Sequence, residues 1–178
     1  METNPIVIAT HGLILREWAE DDVPVMQELF DDPDVAYRTP LESPFDEAAA
    51  LRYLRSAQLA GQEGKRLHLA ITLDGQQALG EVLLNLSHAS IGYVVGTAHR
   101  GQRLATRALE AVTEYAHASL ELPEVILEIE PDNAASAAVA RAADFQLTDA
   151  EPETVTDKGR TYTLLRWEHR RPAHNPEG

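Results

Sequence analysis

The stretch from Ile91 to Ala116, IGYVVGTAHRGQRLATRALEAVTEYA, changes its period half-way along. Ser90–Val95 is a short apolar run of strand length. From Leu104 onward, Leu104, Ala105, Ala108, Leu109, Val112 and Ala116 fall on one stripe of a long helix. Between them lies a loop containing Gly96, His99, Arg100 and Gly101. The start of a helix carries unpaired N–H groups and partial positive charge, so a strand–loop–helix of this kind can hold phosphate oxygens. Gly101 lets backbone come close to a ligand. Arg100, Arg103 and Arg107 add formal charge, the last two sharing a helix face at a spacing of four. Two readings fit this patch equally: the footprint of a bound polyanion, or a solvated helix face.

Working outward, Leu13–Trp18 reads as a strand, and Asp21 and Asp22 as the cap of a helix over Val23–Phe30 that Asp31-Asp32-Pro33-Asp34 stops. Ser43-Pro44 opens a second helix, with Ser43 as N-cap and Pro44 at the first helical position, running to Gly61. Leu67–Leu73 and Ala78–Leu86 are strands joined at Asp74-Gly75. After the long helix come a strand at Val125–Ile129, a break at Pro131-Asp132-Asn133, a helix from Ala134 to Ala143, and strands at Phe145–Leu147 and Thr161–Trp167. This order is a mixed α/β layer architecture. Residues 1–170 read as one domain and 171–178, polar with two prolines, as a flexible tail.

The chain has 178 residues, 44% hydrophobic and 25% charged, which is the composition of a globular domain. Its 15 Lys+Arg against 29 Asp+Glu give a formal charge of −14. That balance argues against non-specific nucleic-acid binding and against attraction to anionic membranes. No apolar run is long enough for a membrane span, and the N-terminal residues lack the pattern of a signal peptide, so the expected location is the cytoplasm. With no cysteine there is no disulfide, no thiolate metal site and no Cys nucleophile, and no metal site is expected.

Arg100-Gly101-Gln102-Arg103-Leu104-Ala105 resembles the acyl-CoA pyrophosphate loop of the GNAT N-acetyltransferases, Arg/Gln-x-x-Gly-x-Gly/Ala. Glu130-Pro131-Asp132-Asn133-Ala134-Ala135-Ser136, followed by Val139-Ala140 and Phe145, is similar to an element of the RimJ/RimL-like branch. The N-terminal LILREWAEDD, the later FDDPDV and Ile91-Gly92-Tyr93 agree, so the resemblance runs from about residue 10 to 168. Three positions depart from the pattern. Arg103 replaces the central loop glycine, tolerable if its backbone stays right-handed. Asp144 replaces the glycine before Phe145, where a left-handed conformation is expected. Ser90 stands where many relatives have an acid, which leaves the general base open.

The resemblance implies a GNAT-type fold, a mixed and mostly antiparallel sheet of about seven strands flanked by about four helices. It implies an N-acetyltransferase (bacterial, cytoplasmic) that moves an acetyl group from acetyl-CoA to a primary amine, of a small molecule or a protein N-terminus. Direct attack in a ternary complex follows both from the family and from the lack of a cysteine. A succinyl donor, a catalytically weak acyl-CoA-binding module and a homodimer remain open. Donor contacts are expected from Arg100, Gly101, Gln102, Arg103, Leu104, Ala105 and Thr106, mainly by backbone N–H. Tyr93, Val94 and Val95 would line the pantetheine arm, with Asn133 and Ser136 beside it. Asn133 equally reads as a routine helix cap. Ser136 is a candidate hydrogen-bond donor to the leaving thiolate. Glu81, His88, Glu128 and Glu130 are candidate bases near the central strands, and each also reads as a plain solvent-facing residue. Glu128 and Glu130 share one strand face.

Overall fold

The computed structural model describes residues 4–173. Among them are nine strands and five α-helices: β1 (Val7–Thr10), β2 (Leu13–Glu17), α1 (Val23–Phe30), α2 (Pro33–Arg38), α3 (Glu47–Gln62), β3 (Arg66–Thr72), β4 (Ala78–Asn85), β5 (Ser90–Val95), α4 (Leu104–Ala118), β6 (Glu124–Ile129), α5 (Ala134–Ala142), β7 (Gln146–Leu147), β8 (Glu153–Asp157) and β9 (Arg160–Arg170). The sheet order is β1-β2-β3-β4-β5-β6-β9-β7, with β8 paired to β9. Every pairing is antiparallel except β5 with β6.

The mixed α/β class and the antiparallel character of the sheet are as expected, while the counts are higher than seven and four. The additions have local causes. Asp32-Pro33 does not only stop α1. The Asp32 carboxylate accepts from the amides of Asp34 (2.8 Å) and Val35 (3.3 Å) and starts α2, with Pro33 at the first helical position. β8 is largely exposed and carries no apolar run, so it is created by its pairing with β9 across a turn at Lys158-Gly159. Two caps differ from expectation. Asp22 makes no cap bond to α1, because its carboxylate is held by the Arg16 fork (both contacts 2.8 Å) and the Ala19 amide (2.8 Å). The second expected helix starts at Glu47, capped by Asp46, whose carboxylate accepts from the Ala49 amide at 2.9 Å; Ser43 and Pro44 lie outside it. Of the expected tail, Arg171 hydrogen-bonds through its amide to the Pro123 carbonyl (2.8 Å), and 174–178 lie outside the described residues. No described helix is long and apolar enough to cross a membrane.

The sheet separates two cores. One face packs Leu69, Ile71, Val82 and Leu84 against Leu104, Leu109 and Val112 of α4. The other packs Ala70 and Ala78 against Trp18, Met26, Phe30, Phe45 and Leu54 from the α1–α3 side. Between them, β5 and β6 share a single bridge, Ser90 with Ile126, and the Ile126 amide reaches the Ala89 carbonyl at 2.9 Å. Beyond that bridge the strands diverge. β5 remains fully paired to β4, from Gly80 with Val95 to Asn85 with Ser90. A Cβ at Gly80 would lie 2.3 Å from the Val94 carbonyl oxygen and 3.0 Å from the Val95 Cα. The obstructing atoms are backbone, so Gly80→Ala must push β5 away from β4. We expect a loss of about 2–3 kcal/mol, read by urea denaturation.

Candidate active site

Where β5 and β6 part, two cavities meet. One, of about 510 Å³, is lined by Val95, Arg100, Ala105 and the first turn of α5. The other, of about 320 Å³, is lined by Tyr53, His68, Glu81 and Glu128. Tyr93, Val94, Asn133 and Ser136 line both, as do Arg38 and Thr39 at the end of α2. The backbone of β5 beyond Ser90 faces this gap without a ladder partner on the β6 side. Such groups need a partner, and a ligand lying along the strand supplies one.

The larger cavity runs toward the start of α4. No side chain caps that helix, and the first internal hydrogen bond closes from the Arg107 amide to the Arg103 carbonyl at 3.0 Å. The amides of Leu104, Ala105 and Thr106 therefore precede any internal bond, the arrangement that accepts an anion. Leu104 and Thr106 bury their side chains, so this segment can offer a ligand only backbone. Gly101 has φ +93°, and no atom lies within 4 Å of where its Cβ would be. Arg100 is exposed at the cavity edge, with Asp34 at 3.6 Å. Gln102 and Arg103 are exposed.

The right-handed condition set for Arg103 is not met, and the expected helix face shared by Arg103 and Arg107 is corrected. Arg103 is left-handed, φ 57° and ψ 29°, not right-handed. The chain must reverse into α4 at this point, and a non-glycine residue bears the steric cost. Arg103 is thus the residue before the helix and shares no helical face with Arg107. Arg107 turns away from the loop: its guanidinium donates to the carbonyls of His11 (2.9 Å), Gly12 (3.0 Å) and Gln102 (3.3 Å). It ties α4 to the turn between β1 and β2. Asp144 is left-handed as expected, φ 64°.

Asn133 caps α5 through its side-chain oxygen, which accepts from the Ser136 amide at 3.2 Å. The Ser136 hydroxyl stands at the junction of the cavities. Beside it, the Tyr93 hydroxyl is buried without a hydrogen-bond partner among the described residues. Burial pushes the Tyr93 phenol up, and Ser136 pulls it back without completing a hydrogen bond.

The four candidate bases separate. Glu130 is buried and bound by Arg160 (2.5 and 3.3 Å) and Arg38 (2.8 Å); Arg38 also reaches Asp132 at 2.9 Å. The Arg160 hydrogen bond, then that of Arg38, holds the Glu130 carboxyl below its usual range, which suits an anchor better than a base. Glu128 faces the smaller cavity, and partial burial and then Glu153 push its carboxyl up. His88 lies in a neighbouring 350 Å³ cleft with Glu128, Glu151 and Glu153, and does not line the smaller cavity. Glu81 is buried: Oε1 accepts from Tyr53 Oη at 2.5 Å and Oε2 from Trp18 Nε1 at 2.6 Å.

His68 stands beside Glu81 and was missing from the sequence candidates. A signal for it existed. A two-residue turn at Asp74-Gly75 would set His68 opposite Glu81, and the register found, His68 with Leu83 and Ala70 with Glu81, keeps both on the same face.

The end of α2 roofs the junction. Lys158 Nζ donates to the carbonyls of Ala36 (2.8 Å) and Thr39 (3.0 Å), capping α2 from the β8–β9 turn. Arg160 donates to the Tyr37 carbonyl (2.6 Å) and stacks on Tyr37 and Tyr162, 3.8 and 4.1 Å from the ring centroids. Glu130 is the anion on which Arg38 and Arg160 converge.

Residues 12–146 match the family described as acetyltransferase (GNAT) domain. The chain belongs to the GNAT acetyltransferase family. An uncharacterized N-acetyltransferase p20 of Bacillus licheniformis is 25% identical over 174 residues, covering 90% of this chain and 96% of that protein. RimJ of Mycobacterium smegmatis, solved with a CoA disulfide, superposes with a TM-score of 0.77 at 18% identity, covering 93% of this chain and 86% of that one. A ribosomal-protein-S5-alanine acetyltransferase of Vibrio fischeri gives 0.78 at 14% identity, with 96% and 100% covered. These likenesses establish the fold around the two cavities of this acetyltransferase.

Two outcomes follow from the geometry. Arg103→Gly relieves a left-handed side-chain residue and should cost no stability, whereas Arg103→Val should cost more than about 1 kcal/mol in thermal unfolding. Glu130 has a depressed carboxyl, so its contribution is full above the unfolded value of about 4.3 and is lost as pH falls through the folded value. Glu130→Gln should lower the melting temperature by about 4–8 °C at pH 7, for a loss of about 2 kcal/mol, and weaken the pH dependence of stability below pH ~4.

Proposed function

We propose that this acetyltransferase moves the acetyl group of acetyl-CoA to an unhindered primary amine by direct attack, with the donor in the larger cavity and the amine in the smaller one. The carrying observation is the junction itself. Two cavities with different linings meet at one stretch of β5 whose backbone lacks a partner on one side.

The donor side fits a pyrophosphate and a pantetheine arm. The open amides at the start of α4 and Arg100 suit the phosphates, with Gly101 leaving room for them. Tyr93, Val94 and Val95 offer strand backbone to the amide-bearing arm, in the manner of an added strand. A thioester carbonyl beside Val94 and Val95 would be polarised by backbone N–H. Ser136 and the partner-free Tyr93 hydroxyl would receive the leaving sulfur by hydrogen bonding.

The amine side carries the Glu81 and Glu128 carboxylates, whose charge draws an alkylammonium, with Glu128 the one facing the cavity without a bound donor among the described residues. Its proton must leave before attack, because an amine of this class has a pKa near 10. The roof formed by α2, Lys158 and Arg160 favours an amine at the end of a chain over one in the middle of a flat surface.

The test mixes protein, acetyl-CoA and a panel of amines and follows free thiol with a thiol reagent, to which the cysteine-free chain adds no background. Thiol release dependent on amine is expected. Tight CoA binding with no release across the panel would favour a binding module, and faster turnover with succinyl-CoA would reassign the donor. Arg100→Ala should weaken CoA binding about 10-fold, about 1.4 kcal/mol, while Arg107→Ala should lower thermal stability and leave CoA affinity within twofold; titration calorimetry reads the affinities and thermal unfolding the stability.

A further inference from the structure

The buried network around Glu81 fixes the protonation of its members. Tyr53 has one hydroxyl proton, and the 2.5 Å contact commits it to Glu81 Oε1. Burial and the Glu81 charge both push the Tyr53 phenol well above its ordinary value, so it stays a donor. The same Tyr53 oxygen lies 3.2 Å from His68 Nδ1, and with its own proton already given it can only accept there. His68 Nδ1 also lies 3.4 Å from Glu81 Oε2. Nδ1 therefore carries the hydrogen, directed between Tyr53 and Glu81. In the neutral ring the lone pair is then on Nε2.

His68 Nε2 has no hydrogen-bond partner among the described residues, yet it is not one of the occluded unpaired atoms, so it borders open space. The ring lines the 320 Å³ cavity on one side and a small crevice beside Glu17, Gln58 and Gly61 on the other. A buried imidazole whose Nδ1–H is held by a carboxylate, with Nε2 unpaired among the described residues and the ring lining a cavity, is arranged to accept a proton.

We propose that His68 Nε2, oriented and supported by Glu81, takes the proton of the acceptor ammonium, directly or through one water. This rests on the acceptor assignment of the smaller cavity. The N–H bond of the ammonium breaks, its electron pair stays on nitrogen as the nucleophile, and the proton binds Nε2. The imidazolium that forms is stabilised by the Glu81 carboxylate at Nδ1–H and later sheds its proton to solvent, for which the crevice is the near route. Glu81 is then a positioning residue, which explains why two other donors already occupy it. The charged and titratable groups around the ring are Arg66 on its own strand, Glu81 on β4, Tyr53 on α3 and Glu17 on β2. Across the cavity stand Glu128 and Glu130, the latter neutralised by Arg38 and Arg160.

The experiment is the pH profile of kcat/KM for wild type, His68→Gln and Glu81→Gln with one amine that the wild type acetylates. The wild type should show an acid limb, because a protonated His68 cannot accept the ammonium proton. His68→Gln, whose amide can still donate to Glu81, should lose that limb and fall about 100-fold at pH 7.5, while its thermal shift by CoA stays wild-type. Glu81→Gln should keep the limb with its midpoint moved down, since the anion supporting the imidazolium is gone. A purely structural His68 would give a variant with the wild-type limb, and that result overturns the proposal. Nitrogen NMR of ¹⁵N-histidine-labelled wild type gives a check that needs no variant: the neutral ring must carry its proton on Nδ1, and a neutral Nε2–H form overturns the proposal too. Active wild type with an unaffected His68→Gln defeats this inference alone. Wild type that acetylates no amine defeats the acceptor assignment and this inference with it.

Discussion

Two parallel strands that share one bridge leave a row of backbone groups with no partner on one side, and this gap organises the molecule. β5 is held to β4 along its whole length, so it cannot close toward β6. β6 is held to β9 over six residue pairs and cannot close toward β5. The gap is therefore maintained by ladder pairing on both flanks, not by anything inside it. Gly80 adds to the constraint, since its missing Cβ leaves room for the Val94 carbonyl. The donor helix, the cap of α5 and the roof at α2 are all placed around this opening.

Charge is distributed to match. The formal −14 is not uniform around the cavities. On the acceptor side Glu81 is buried in hydrogen bonds and Glu130 is paired with arginine, while Glu128 faces the cavity. On the donor side the positive potential comes from helix amides and from Arg100, while Arg107 serves structure. A polyanion thus meets a locally favourable surface on a chain that repels it at longer range, where salt screens the repulsion.

The strands and helices with strong periodicity were legible in the sequence, β5 to its terminal residues and α4 by its apolar stripe. What escaped depended on partners far away in the chain. β8 exists because β9 is there, and α2 because the Asp32 carboxylate turned a stop into a start. Arg107 and Arg103 looked alike as charges on a helix; only the left-handed turn at Arg103 and the carbonyls of His11 and Gly12 separate them. The contents of the site were legible in part for the same reason. A cap such as Asn133 is local and announces itself within three residues. A histidine hydrogen-bonded through its ring to a carboxylate thirteen residues away requires the hairpin register, which the bulge between Ile71 and Thr72 shifts by one residue.

The roof over the junction also bears on inhibitor design. A molecule that joins CoA to an amine must occupy both cavities at once, passing beneath Arg38 and Thr39. Its nucleotide end belongs at the start of α4 on the donor side, so its amine end has to lie past the junction in the smaller cavity. The passage below α2 is then shared by both halves of any such conjugate. A conjugate too broad for that passage would have to be assembled in place from two halves arriving by separate mouths.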